Sequence, residues 1–341
     1  MNKMKDELAR KLEAFGQQHV LAFWDELSQS EREKLAGQIS ALDLRELQAL
    51  FQDRGTETDL AEVVMQAEPP YAVRLGGGGR YSADEAIRRG QAALAAGKVG
   101  VILVAGGQGA RLGFDHAKGL FPIGPVSGAS LFQILLEKVL ATGDRYASRI
   151  PVYVMTSPAT HDETVDFLAS NSHFGIEAED VKFFCQATMP AFDAESGSLI
   201  LSHRGQLFTS PDGHGGMLAA LEKSRTLDDM RQRGLRHLFY FQVDNPLATV
   251  CDPELIGYHM MANSQYTLQV IAKQAADEKV GNVVMLDGVM RVIEYSDLPA
   301  DAAALKTADG SLKLWAGSIA VNVFDFDFLC QMANLDTSLP F

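Results

Sequence analysis

Hydrophobic positions along this chain follow two periods, and the change between them falls near residue 97. Before that point they recur at helical spacing. Leu8, Leu12 and Phe15 share one face, as do Val20, Trp24 and Leu27, and such a stripe reads as core. Ser30 with Glu33 reads as a capping box ahead of Leu35, Ile39 and Leu42, and Asp43 with Glu46 offers a similar start. A further helix is expected from Ser82 and Glu85 to about Ala96, with Gly97 as its stop. The four glycines Gly76–Gly79 read as a flexible connector, because no strand leads cleanly into them.

From Val99 onward short apolar runs alternate with helical patterns. The expected strands are Val99–Val104, Val152–Met155, Val181–Phe184, His237–Val243 and Thr267–Ala272. Helical crossovers between them predict an α/β fold with a mostly parallel sheet. Val283–Ile293 differs: Asp287-Gly288 between two β-rich runs signals a hairpin, expected as an antiparallel piece appended on the substrate side. The division that follows is a helical N-terminal region over 1–95 and an α/β domain over 96–341.

The segment Val99–Gly124, VGVILVAGGQGARLGFDHAKGLFPIG, changes the picture from fold to chemistry. Gly106, Gly107 and Gly109 leave backbone N–H groups bare after a strand, and Arg111 and Lys118 add positive charge where phosphates would sit. No Gly-Lys-Ser/Thr ends the turn, so it is not a Walker loop. Read from Gly107, the third glycine of a dinucleotide fingerprint is Leu112, and no acidic ribose ligand stands about 20 residues beyond. Nucleotide phosphate binding is the expectation, and a dinucleotide oxidoreductase fits poorly.

Composition narrows the partners. The chain has 341 residues, 47% hydrophobic and 22% charged, with a net charge of −14. An acidic balance with scattered Lys and Arg argues against a nucleic-acid surface. No apolar run is long enough to span a bilayer, and the N-terminus lacks the apolar region of a secretory signal. Cys185, Cys251 and Cys330 lie far apart without metal-ligand spacing, so buried thiols in a reducing cytoplasm are expected. Oligomeric state is not legible.

LVAGGQGARLG followed by KG resembles the signature of the nucleotidyltransferases that make UDP-sugars, and is most similar to the eukaryotic-type UDP-N-acetylhexosamine pyrophosphorylases. IPVYVMTS, VKFFCQATMPAF, SPDGHGGM, FQVDNPLATVCDP and VIEYSDL follow in the family's order. The resemblance implies a Rossmann-like, GT-A-like sheet and a uridylyltransferase that joins UTP to an N-acetylhexosamine 1-phosphate with Mg²⁺. Its problem is to bring two polyanions together, so positioning and charge neutralisation must do most of the work. On this reading Lys118 would meet the α-phosphate and departing pyrophosphate, and Arg111 the β- and γ-phosphates. Asp244, ending an apolar strand, would hold the metal and nucleotide. Gln186 has an amide suited to the uracil edge, and the resemblance assigns its position to the base. Gly213 is implied as a second uridine contact, with His214 standing where the family has Asn. Gly281 and Glu294 match sugar-contacting positions.

Ala110 and Ala117 replace a usual Thr and Pro, which a backbone-built turn should tolerate. Ser318, in WAGSIAVN, replaces a sugar-contacting Asn, so the preferred sugar is open. Family members continue past the position matching Phe341, so their C-terminal domain, with a second lysine near the phosphates, is expected to be missing. Competing readings are the same reaction on glucose or galactose 1-phosphate, and a non-catalytic nucleotide-sugar-binding fragment.

Overall fold

A computed structural model describes residues 2–53, 64–74, 80–211 and 215–334 of the chain. The chain divides into two compact units, Met1–Thr58 with Thr188–Asp212, and Asp59–Ala187 with Gly213–Phe341. Residues 188–212 therefore group with the N-terminal helices.

The larger unit is built on one mixed sheet. Its first three strands are β1 (Val99–Val104), β2 (Val152–Thr156) and β3 (Val181–Cys185). The chain then passes through four short strands of the smaller unit, β4 (Thr188–Pro190), β5 (Leu201–His203), β6 (Gln206–Leu207) and β7 (Thr209–Pro211). It returns to the sheet with β8 (His237–Gln242), β9 (Tyr266–Ala272), β10 (Gly281–Leu286), β11 (Val289–Ile293) and β12 (Ala316–Asp325). The order is β11-β10-β12-β8-β1-β2-β3, with β9 also paired to β12. β8, β1, β2 and β3 run parallel, whereas β12 is antiparallel to β8, β9 and β10. The run expected at Thr267–Ala272 is thus a strand of the antiparallel part.

All six residues of β1 are buried, as continuous apolar strands covered on both faces must be. Its alternation splits the core into two layers. Val99, Val101 and Leu103 join Leu94, Phe132, Leu135, Phe239 and Ile256 on one side, under helices Ala83–Ala95, Leu131–Tyr146 and Pro253–Met261. Ile102 and Val104 join Tyr153, Leu221, Met230 and Phe326 on the other, under Gly216–Lys223, Thr226–Gln232 and Phe326–Ala333. Helices Ala83–Ala95 and Pro253–Met261 touch backbone to backbone: a Cβ at Gly257 would stand 1.8 Å from the Ala86 carbonyl oxygen, and one at Gly90 1.9 Å from that of Pro253. β10 and β11 form the expected hairpin, with Asp287 (φ 50°) and Gly288 (φ 76°) both in the left-handed region that a type I′ turn requires.

The smaller unit buries Leu8, Leu12, Val20, Trp24, Leu27, Leu35 and Ile39 together with Leu199 and Leu207. The amide of Gln17 ties in the loop between β4 and β5, donating to Gly197 O at 2.9 Å and accepting from Leu199 N at 2.8 Å. Two local expectations shift. The capping box is Ser28 with Glu31, because two overlapping Ser-x-x-Glu phrases compete and the helix Gln29–Ala41 takes the earlier one. Val20, Trp24 and Leu27 are core, but the backbone makes two 3₁₀ turns, Gln18–Leu21 and Trp24–Glu26, instead of a continuous helix. Asp43 does cap its helix, accepting from Arg45 N and Glu46 N at 3.0 Å each. Ser82 accepts from Glu85 N at 3.4 Å, while the Glu85 carboxylate pairs with Arg88 and Arg89. Gly97, at φ 64°, ends its helix as expected. The glycine run Gly76–Gly79 lies outside the described residues. Of the three thiols only Cys251 is fully buried, and Cys185 is exposed at the end of β3.

Candidate active site

The carboxyl ends of β1, β3 and β8 bring most of the nucleotide-side residues together. β1 and β8 are neighbours, and Val243 N donates to Val104 O at 2.9 Å, so the ladder carries Asp244 to the glycine turn. After that turn the chain makes a closed loop. Gly109 N donates to His116 O at 2.9 Å and Lys118 N to Gly107 O at 3.0 Å, which places Gln108 opposite Ala117. Lys118 thus returns to the turn it follows by eleven residues in sequence, and its Nζ lies 2.7 Å from Asp244 Oδ2. Gly119 can be no larger, since a Cβ would meet the Phe132 ring at 2.1 Å.

Gln186 reaches the same place from β3. Its backbone N–H donates to Thr156 O at 2.9 Å, extending the ladder by one residue. Its buried side chain then crosses the end of β2, so that a Cβ on Gly106 would stand 2.6 Å from Gln186 Nε2. Gly106 is needed here for close approach. Gly107 is exposed, and a Cβ there would stand in open space. The N–H groups of Gly106, Gly107 and Gln108 have no acceptor among the described residues, which is the condition for a backbone anion or nucleotide cradle. Arg111 sits on the single 3₁₀ turn Ala110–Leu112, exposed and without an ion-pair partner among the described residues.

A second group gathers on the antiparallel side. Gly281 of β10 is the register partner of Ser318 of β12, and Glu294 Oε1 lies 3.5 Å from the position of a Gly281 Cβ. β12 kinks between Ser318 and Val321, with Ala320 at φ 53° donating its N–H to Ser318 Oγ at 3.3 Å. Asn245 Nδ2 donates to Ile319 O at 3.4 Å, which joins the Asp244 loop to this kink. Gly213 and His214 lie outside the described residues.

Sequence reasoning missed the groups that hold these loops. Glu163, on the first turn of helix His161–Ser170, accepts from Ala117 N at 2.8 Å and pairs with His116 Nδ1 at 2.5 Å. The Ala117 N–H, with help from His116, holds its carboxyl below the ordinary carboxylate range. Lys138 Nζ donates to Pro246 O at 2.5 Å and Ala248 O at 3.1 Å, clamping the loop after Asp244, and burial pushes its own pKa down. Ser157 Oγ donates to Gly106 O at 2.7 Å. Of these only Ser157, just after the carboxyl end of β2, stood where a sequence signal was available; Glu163 and Lys138 lie within helices.

The residue set suits a divalent cation shared with a substrate. Among the described residues no three His, Cys, Asp or Glu side chains cluster as a ready-made cage. Asp244, 45% exposed, offers a single carboxylate beside a cationic lysine. Mg²⁺ is commonly held in this way, by one or two carboxylates plus phosphates and water.

A mixed sheet with a bare-amide turn and a Lys–Asp pair at its carboxyl edge is an α/β arrangement suited to an anionic ligand. The chain belongs to the UDPGP family, described as UTP–glucose-1-phosphate uridylyltransferase, whose pattern matches residues 80–332. It is 35% identical to UDP-N-acetylglucosamine diphosphorylase 2 of Arabidopsis thaliana, over 96% of this chain and 68% of that protein. It is 33% identical to the UDP-N-acetylglucosamine pyrophosphorylase of Saccharomyces cerevisiae, over 92% of this chain and 68% of that protein. The uridine diphosphate N-acetylglucosamine pyrophosphorylase of Trypanosoma brucei, solved with an inhibitor, superposes with a TM-score of 0.83 at 28% identity, covering 99% of this chain and 69% of that one. The chain therefore spans about two thirds of the length of these relatives. No helix among the described residues is long and apolar enough to cross a membrane.

Proposed function

We propose that this chain is a uridylyltransferase that forms UDP-N-acetylhexosamine and pyrophosphate from UTP and an N-acetylhexosamine 1-phosphate. The observation that carries the reading is the convergence of Gly106, Gln186, Lys118 and Asp244 on one sheet edge, with Gly281, Glu294 and Ser318 grouped on the adjoining antiparallel strands. The names of the similar proteins support the N-acetylated sugar over glucose.

The reaction is displacement at the α-phosphorus: a sugar phosphate oxygen bonds to phosphorus as the bond to pyrophosphate breaks. That oxygen is ionised at neutral pH, so no general base is required, and catalysis rests on positioning and on neutralising charge. The free amides of the glycine turn bind the nucleotide, and Gln186 orients the uracil. The family resemblance assigns Gly213 and His214 to the uridine as well. Lys118 holds the α-phosphate and meets the charge that moves onto the leaving pyrophosphate, while Arg111 takes the β- and γ-phosphates. Asp244 is the residue that would hold Mg²⁺, which would supply charge neutralisation for the polyphosphate. Gly281 leaves room for the sugar ring, and Glu294 and Ser318 hydrogen-bond its hydroxyl or amide groups.

The test is pyrophosphate release from UTP with a panel of sugar 1-phosphates, with and without Mg²⁺, alongside UDP calorimetry. Mg²⁺-dependent turnover greatest with an N-acetylhexosamine 1-phosphate is expected. UDP affinity without turnover at high protein concentration would make the chain a binding protein, and absence of UDP affinity would end the nucleotide reading altogether.

A further inference from the structure

A buried hydroxyl lies behind the glycine turn and is bonded to it. Ser157, 2% exposed, follows β2, whose end lies between those of β1 and β3. Its Oγ lies 2.7 Å from Gly106 O and 3.0 Å from Thr160 Oγ1, and its backbone N–H donates to Thr160 Oγ1 at 3.2 Å. Thr160 in turn is 1% exposed. With Ser157 N–H feeding the Thr160 oxygen, the Thr160 hydroxyl hydrogen can serve Ser157 Oγ. Ser157 then has its own single hydrogen to give to Gly106.

A trans peptide is planar, with its carbonyl and the next N–H on opposite sides. The peptide between Gly106 and Gly107 is trans. Drawing Gly106 O inward to Ser157 therefore turns Gly107 N–H outward. That N–H has no acceptor among the described residues, and its residue faces open space. The other side of Gly107 is also fixed, since its carbonyl accepts from Lys118 N at 3.0 Å. Two glycines in sequence would otherwise rotate freely. Resting on the nucleotide reading above, we propose that Ser157 is a positioning residue: its hydroxyl locks the Gly106–Gly107 peptide plane so that Gly107 N–H is presented to a bound uridine nucleotide.

The experiment compares the full chain with Ser157→Ala and Ser157→Cys, by calorimetry with UDP and by steady-state kinetics with UTP. Losing one well-aimed hydrogen bond is worth about tenfold in affinity. Ser157→Ala is expected to weaken UDP and to raise the KM for UTP by about that factor, with kcat changed less than about threefold. Ser157→Cys, of similar size but a poor donor, is expected to fall between the two. It carries the test if the alanine variant does not fold. A role confined to packing would lower the melting temperature without this split between KM and kcat. UDP affinity within twofold of the parent in whichever variant folds would overturn the inference while leaving the nucleotide reading standing. A parent chain with no UDP affinity would overturn both.

Discussion

Lys118→Ala removes an ammonium that lies 2.7 Å from Asp244, in a pair whose side chains are 23% and 45% exposed. At that exposure the pair contributes little to folding, about 0.2–1 kcal/mol after solvent screening. The melting temperature should therefore move by about 2 °C or less for a chain of this size. The catalytic loss should be far larger. Lys118 is held where β1 and β8 end, and its loop is pinned by the bonds that Lys118 N donates to Gly107 O and Ala117 N to Glu163. A preorganised cation facing developing charge is worth about a hundredfold to a thousandfold in rate, or about 2.7–4 kcal/mol. The assay is pyrophosphate release under saturating substrates, with a thermal melt of the same preparation. A hundredfold or greater fall in kcat with an unchanged melt is expected. A kcat within threefold of the parent would refute the assignment of Lys118 to the reacting phosphates.

Asp244→Asn keeps the size of the side chain but loses its charge, and should raise the Mg²⁺ concentration for half-maximal turnover at least about tenfold, as read from a metal titration. Gly106→Ala places a methyl 2.6 Å from Gln186 Nε2; the flexible amide can swing away, so UDP affinity should fall about tenfold by calorimetry while the melt stays near that of the parent. Gly257→Ala is the opposite case, because the atom met at 1.8 Å is the Ala86 backbone oxygen, and a loss of about 3 kcal/mol or more should appear in denaturant unfolding. Glu163 titrates below its ordinary value of 4.5, so its stabilisation is present above that pH and fades as the pH falls through the lowered value. The stability gap between the parent and Glu163→Gln should accordingly narrow on going from pH 6 to below pH 4; a gap that widened would contradict the Ala117 N–H as the cause.

The parallel half of the sheet was readable because its strands are apolar on both faces and bounded by turn residues; β1 was placed to the residue. The Asp287-Gly288 hairpin was readable for a different reason, since few dipeptides tolerate two consecutive left-handed residues. β9 misled, because a short apolar run marks a strand and says nothing of its direction; its residues are in fact half-buried or exposed. In the site, Gly106, Gln186, Lys118 and Asp244 carried side-chain or motif signals. Ser157, Glu163 and Lys138 did not, because their roles lie in contacts with backbone atoms of loops 46 to 110 residues away in sequence. No local pattern encodes such a bond.

Helices Ala83–Ala95 and Pro253–Met261 meet with only peptide groups between them at Gly90 and Gly257. Side chains in an ordinary seam can hop rotamers and let two helices slide, but bare backbone has no such slack. The Asp244 loop runs from the end of β8 into the second of these helices, gripped midway by Lys138. The backbone that carries the carboxylate is consequently slung between two fixed posts, and on the function proposed above a cation-bearing polyphosphate must come to it.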